Sequence, residues 1–122
     1  MIKKYLFILS IFSFIYPCFS QFSPISIDYR DKIVKSIYII EGKNKTKYPF
    51  GIKSIETNGN YEKSKRICEK TVENNWIRWQ KLGKTNDFIE FLGNRYCPQS
   101  ADKQGNINWI KNLKYYLNKE KR

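Results

Sequence analysis

Apolar residues recur along the chain in four stretches with helical spacing. Tyr29, Ile33, Ile37 and Ile40 follow at intervals of 4, 4 and 3, with Val34 beside them, which draws one apolar stripe on a 3.6-residue period. A helix is predicted there, after a leader arm over residues 21–28 that contains Pro24 and has no period. The β-branched richness of residues 33–40 leaves a strand as the runner-up. Gly42 marks the end of this element. A polar turn over residues 42–47 leads to Tyr48-Pro49-Phe50-Gly51-Ile52, a compact aromatic loop or short hairpin in which Pro49 forbids helix continuation. After the turn Asn58-Gly59-Asn60, Asn60 is placed to cap a helix running to about Lys81, with Tyr61, Ser64, Cys68, Val72, Trp76 and Trp79 on its inner face. Gly83 closes it, and Thr85 is expected to cap a third helix carrying Phe88, Ile89, Phe91, Leu92 and Tyr96, which Pro98 stops. Residues 99–105 read as a loop, and Asn106 as the cap of a last helix with Trp109, Ile110, Leu113, Tyr116 and Leu117. The expected fold is mainly α, a small domain of about four helices with a short loop or hairpin after the first.

The start of the chain is of another kind. Met1-Ile2-Lys3-Lys4 is basic, residues 5–16 are uncharged and apolar, and Cys18-Phe19-Ser20 supplies small residues for cleavage before Gln21. This is the pattern of a secretory signal peptide over residues 1–20, with the domain over 21–122. A membrane anchor is the alternative, but the apolar run is shorter than the roughly 20 residues a spanning helix needs. Cys18 is also a conceivable lipid-attachment site, though Tyr16-Pro17 precedes it poorly. Export to the periplasm or medium is therefore expected, with no stable membrane span and a monomeric chain.

Composition narrows the chemistry. The 122 residues contain no histidine, which excludes Ser-His-Asp and Cys-His nucleophiles and imidazole metal sites. No cofactor or metal is expected, and acid/base work falls to Asp, Glu, Lys, Tyr or Cys. The net charge of +12 becomes +10 once Lys3 and Lys4 are removed, a surplus suited to a polyanionic surrounding. A nuclease is disfavoured by the lack of histidine and of an acidic metal cluster, a pore former by the lack of a long apolar stretch in residues 21–122, so neither nucleic acid nor membrane is the expected partner. Cleavage leaves Cys68 and Cys97 alone in an oxidising compartment, and a disulfide between them is expected. Closing that loop would be worth on the order of 3 kcal/mol.

Among the carboxylates, Glu41 stands out. It follows Ile37-Tyr38-Ile39-Ile40, and the next loop brings Tyr48, Pro49 and Phe50 toward it. A carboxyl among apolar and aromatic groups loses solvation of its charged form and is suited to donate a proton, the requirement for a general acid on a glycosidic bond. The alternative is a solvated glutamate at a helix end. Asp28, Asp31 and Asp87 fall at helix starts, where they favour the dipole. Glu62, Glu69, Glu73 and Glu90 mix with basic residues on helix faces, while Glu56 and Asp102 lie in loops. Trp76, Trp79 and Trp109 are either sugar platforms or core at helical spacing.

Ile40-Glu41-Gly42, a polar turn and Tyr48-Pro49-Phe50-Gly51-Ile52 together resemble the signature of lysozyme-like lytic transglycosylases, in which a glutamate ends the first core helix before a turn and a Gly-hydrophobic segment. The larger enzymes of that class place Ser after the Glu and a Gly-Leu-Met-Gln run after a longer gap; this chain has Gly42 and Gly51-Ile52-Lys53-Ser54. The chain is most similar to a group of short phage and bacterial lysozyme-like proteins. That resemblance extends through Cys68, Thr71, Asn75, Arg78-Trp79, Asp87-Phe88-Ile89, Phe91-Leu92, Arg95-Tyr96-Cys97-Pro98, Asp102 and Asn108-Trp109. It implies a lysozyme-like helical domain, with Glu41 as catalytic acid and Tyr48, Phe50 and Gly51 shaping the substrate cleft. Tyr96 either lies across from Glu41 or packs in the core beside Cys97, and Asn108 either supports the loop or caps a helix. The implied substrate is peptidoglycan or a related anionic glycan, cut between N-acetylmuramic acid and N-acetylglucosamine with a lyase or hydrolase outcome. A non-catalytic wall-binding relative on the same fold is the alternative.

Overall fold

The computed structural model describes residues 22–54 and 56–121. The expected signal peptide and its cleavage point lie outside the described residues. Four α-helices are present among them: α1 (Ile27–Ile40), α2 (Tyr61–Lys81), α3 (Phe88–Tyr96) and α4 (Lys103–Lys119). The runner-up strand for residues 33–40 is replaced by helix, and the segment after α1 is neither a hairpin nor a plain loop. It makes two short 3-10 turns, Lys43–Lys45 and Pro49–Gly51, and no strand occurs among the described residues.

Each helix begins on a side chain that accepts a free backbone N–H, one of the donors a helix start leaves without an internal partner. Ser26 takes the N–H of Tyr29, Asn60 that of Lys63, Asp87 that of Ile89 and Asp102 that of Gly105. Only the Asn60 cap agrees with the expected one. The start of α3 moves from Thr85 to Asp87, and α4 begins four residues before Asn106, because Asp102 Oδ1 accepts from Gly105 N at 2.9 Å. That bond offsets the usual cost of glycine in a helix, so Gly105 belongs to the first turn of α4 and not to the loop before it.

α1 lies at the centre, packed on α2 and α4, and α3 closes the remaining side by bridging α2 and α4. Ile33, Val34 and Ile37 of α1 meet Cys68 and Val72 of α2, Leu92 of α3 and Leu113 of α4, all essentially removed from solvent. The leader arm is strapped to α2: the Gln80 amide donates to the Ser23 carbonyl at 2.8 Å, Trp76 Nε1 donates to the same oxygen at 3.0 Å, and Ile25 enters the core. Trp76 also packs edge-on against Phe88, and Trp79 Nε1 donates to the Asn86 carbonyl at 2.7 Å. Both indoles are therefore spent on packing and on holding backbone. Among the described residues no helix is long and apolar enough to cross a membrane.

Asn106 has a different task from the capping expected of it. It is 1% exposed, and its Nδ2 donates to the Cys97 carbonyl at 2.7 Å and to Asn94 Oδ1 at 3.0 Å, with the Gly93 carbonyl at 3.3 Å. One side chain of α4 thus takes the Cys97 carbonyl that the end of α3 leaves open, together with the Asn94 side-chain oxygen. Asn106→Ala removes these bonds from a side chain buried at the helix contact and is expected to cost about 2 kcal/mol, whereas Asp102→Ala, which removes an exposed cap, costs about 1 kcal/mol. Urea denaturation of the two variants checks the order; equal losses would show that Asn106 does no more than a cap.

Candidate functional site

α1 ends where Gly42 enters the left-handed region at φ 104°, leaving Glu41 as the C-cap with its N–H on the Ile37 carbonyl. Its side chain is then fixed from two sides. Trp109 Nε1 of α4 donates to Glu41 Oε1 at 2.9 Å. The opposite face lies against Gly51: a Cβ built there would sit 2.9 Å from Oε2 and 3.0 Å from Cδ, so a side chain at this position would push the carboxyl from its place. Gly51 also has φ +71°, which L side chains rarely adopt. Among the described residues Oε2 has no hydrogen-bond partner, so the carboxyl is anchored by hydrogen bonding through one oxygen alone.

The loop that delivers Gly51 is held by its neighbour. Phe50 takes φ 60°, ψ 14°, left-handed for a residue with a side chain, and is 1% exposed. Its ring packs 5.1 Å from Tyr38 of α1 and 5.5 Å from Tyr61 of α2. Phe50 therefore holds the loop from the core side and does not present a face to a ligand, while Tyr48 remains partly exposed. Trp109 is 9% exposed and is occupied by Glu41 through its N–H, which makes it a support for the carboxyl and not a sugar platform.

Tyr96, the last residue of α3, stacks on Trp109 with ring centres 5.1 Å apart and planes at 20°. Its hydroxyl donates to Cys68 Sγ at 3.1 Å. Burial pushes the Tyr96 phenol above its ordinary range, with Cys68 and the nearby Glu41 charge adding to the rise. Burial likewise pushes the Cys68 thiol up to about 12, and the Tyr96 hydrogen bond opposes this only in part. The expected Cys68–Cys97 disulfide is not formed: both thiols are free. Cys68 points into the core, where the Tyr96 hydroxyl occupies its sulfur, and Cys97 sits one residue beyond Tyr96 at the partly exposed C-cap of α3.

The structure thus brings Glu41, Gly51 and Tyr96 together, and adds Trp109, expected as either a sugar platform or a core residue, and Cys68, expected in a disulfide. The other carboxylates have different employment. Arg30 holds Asp31 at 2.8 Å and Glu73 at 2.6 Å, with Glu69 at 3.6 Å; Asp28 pairs with Lys32, Glu120 with Lys35, and Lys114 lies between Asp87 and Glu90. Asp102 is spent on the α4 cap, and Glu56 and Glu62 are exposed. Asn108 is exposed as well and accepts from Gln104 Nε2 within α4, so its side-chain oxygen is used neither on the loop nor as a cap, the two roles expected of it. Among the described residues no group of three or more carboxylate or thiol side chains is placed to hold a metal ion. Comparison of the chain with protein-family models, with curated proteins and with solved structures found no match.

The thiol arrangement has a measurable consequence. In the unfolded chain Cys68 begins to lose its proton near 9, while in the folded chain it keeps it to about 12, so above pH 9 the native state holds more protons than the unfolded one. Stability is therefore complete below about pH 9 and falls as pH rises toward 12. The phenols of Tyr96 and Tyr29, both raised chiefly by burial, act in the same direction. Thermal melts at pH 8 to 11 should show this fall, less steeply in Cys68→Ala. A thiol reagent at neutral pH should label Cys97 in the folded protein and both cysteines only after denaturation; labelling of Cys68 at the Cys97 rate contradicts its burial.

Proposed function

We propose that the chain is exported and cleaves peptidoglycan, as a lytic transglycosylase or lysozyme-like glycosidase with Glu41 as its single catalytic acid. The observation that carries this reading is the way the carboxyl is held, with Oε1 on the Trp109 indole and Oε2, beside Gly51, without a hydrogen-bond partner among the described residues. A general acid must offer one oxygen in a fixed direction, and a second-side anchor supplies that direction without occupying the donating oxygen.

In the proposed reaction, Glu41 gives its proton to the glycosidic oxygen between N-acetylmuramic acid and N-acetylglucosamine. The bond from that oxygen to the muramoyl C1 breaks, and the N-acetylglucosamine leaves with a new hydroxyl. The carboxylate then takes the proton of the muramoyl C6 hydroxyl as its oxygen bonds to C1, closing a 1,6-anhydro ring and restoring the acid. Water in place of the C6 hydroxyl gives the hydrolytic product by the same proton path. One carboxyl serves both steps, in keeping with the engagement of the other acids in pairs, caps or solvent.

Glu41→Gln keeps size and the Trp109 contact but has no proton to give, so release of muropeptides from cell walls should fall by roughly 10²-fold or more with the fold intact. Gly51→Ala should also suppress release, because the new Cβ meets the carboxyl and the backbone is forced at φ +71°. Mass spectrometry of the products separates anhydro from hydrolytic ends. Equal release by Glu41→Gln and the parent would remove Glu41 from the mechanism, and a parent that binds walls without releasing product would leave a wall-binding module.

A further inference from the structure

The three indoles engage their N–H groups inside the fold. Flat aromatic surface on the outside is supplied by tyrosine instead. Among the described residues Tyr115 of α4 is the most exposed aromatic side chain, at 57%, and it meets the ring of its half-buried neighbour Tyr116 edge-on, with centres 5.1 Å apart. Lys119 sets its ammonium 5.6 Å from the Tyr115 ring centre, a weak contact at an exposed position that a ligand can displace.

The two tyrosines belong to a groove. α1 and α4 run antiparallel, Glu41 meeting Trp109 at one end of the contact and Lys35 meeting Glu120 at the other. Beside this contact Ile39, Ile40, Lys111, Asn112, Tyr115 and Tyr116 line a cavity of about 470 Å³, a size within the roughly 300–1,000 Å³ of small-molecule sites. Ile40 immediately precedes Glu41, and Asn112 and Tyr116 follow Trp109 at i+3 and i+7, so they continue along α4 from the indole that holds the carboxyl. One wall of the groove therefore begins next to Glu41, and the other one turn from its indole partner.

The lining combines two half-buried isoleucines, two phenol rings, an exposed amide and an exposed ammonium, and among the described residues no carboxylate takes part in it. An asparagine amide both donates and accepts, so it can pair reciprocally with another amide. We propose that this groove is a subsite for an N-acetylated pyranose. The apolar face of the sugar ring lies on Tyr115 and Tyr116, the acetamido methyl turns to Ile39 and Ile40, the acetamido amide pairs with Asn112, and Lys111 donates to a ring hydroxyl. Tyr115 is then the residue that holds a sugar ring and Asn112 the one that selects the acetylated sugar. The choice of a sugar as occupant rests on the peptidoglycan reading, because the groove adjoins the carboxyl which that reading uses.

Binding is measured with the Glu41→Gln protein, so that cleavage does not consume the probe. Isothermal titration compares the neutral tetramer of N-acetylglucosamine with cellotetraose, which has the same linkage but no acetamido groups. The acetylated tetramer should bind about tenfold more tightly. Adding Tyr115→Ala should weaken its binding about tenfold, and adding Tyr115→Phe, which keeps the ring, no more than about twofold. Asn112→Ala should bring the two tetramers to within about threefold of each other. Ile107→Ala truncates another exposed apolar side chain of α4, in a different cavity, and should change binding by no more than about twofold. No binding of the acetylated tetramer at millimolar concentration, equal binding of cellotetraose, or a loss in Ile107→Ala as large as in Tyr115→Ala would each overturn the proposal. Failure of the peptidoglycan-cleaving reading shows separately, as a parent chain that releases no product from cell walls although Tyr115→Ala still weakens binding of the tetramer.

Discussion

A carboxyl group at the edge of a hydrophobic core needs a donor, and here the donor is an indole N–H 68 residues away in sequence. Everything else in the fold serves that contact. Trp109 is aimed at α1 because Asn106, three residues earlier and so on the same face of α4, is fastened to the end of α3. Tyr96, at that end, stacks on the other side of the indole and sends its hydroxyl to Cys68 of α2. Each of the four helices thus contributes one polar group to a single meeting point: Glu41, Cys68, Tyr96 and Trp109. Buried polar groups are costly unless partnered, so displacing any one helix leaves a donor or acceptor stranded on another, and hydrophobic packing alone would not impose this register.

The loop between α1 and α2 shows the complementary use of energy. Phe50 in a left-handed conformation costs on the order of 1 kcal/mol, and its near-complete burial between Tyr38 and Tyr61 returns about 2 kcal/mol or more. The strain is held by packing on one side so that Gly51 can close on Glu41 on the other.

Four helices with a turn after the first were legible in the sequence because apolar periodicity is a local signal. Ile33, Val34 and Ile37 mark their face whatever they pack against, and Asn60 announces a helix start by being followed at once by the period. The errors fell where a local signal had two meanings. Gly105 reads as loop until the Asp102 carboxylate is seen accepting its N–H, and Asn106 reads as a cap until its amide is seen on α3. Glu41 was distinguishable because its apolar neighbours are adjacent in sequence. Trp109 as its partner was not, since an indole at helical spacing looks the same whether its N–H meets a carboxylate or a carbonyl. The expected Cys68–Cys97 bridge failed for a similar reason: counting cysteines takes no account of a tyrosine hydroxyl already seated on one sulfur.

The unequal distribution of charge follows from the same division of labour. Arg30 draws together Asp31, Glu69 and Glu73, which crosses from α1 to α2, and Lys114 draws α4 toward Asp87 and Glu90 at the start of α3. These pairs sit where helices meet and help fix their approach. The other described cations, in residues 43–66 and along α2, α3 and α4 alike, join no ion pair among the described residues. Exposed pairs are worth at most about 1 kcal/mol, so the absence of pairing there sacrifices little stability. Mutual repulsion is moderated by salt over roughly 8 Å at physiological ionic strength, so it too is tolerable in the free protein.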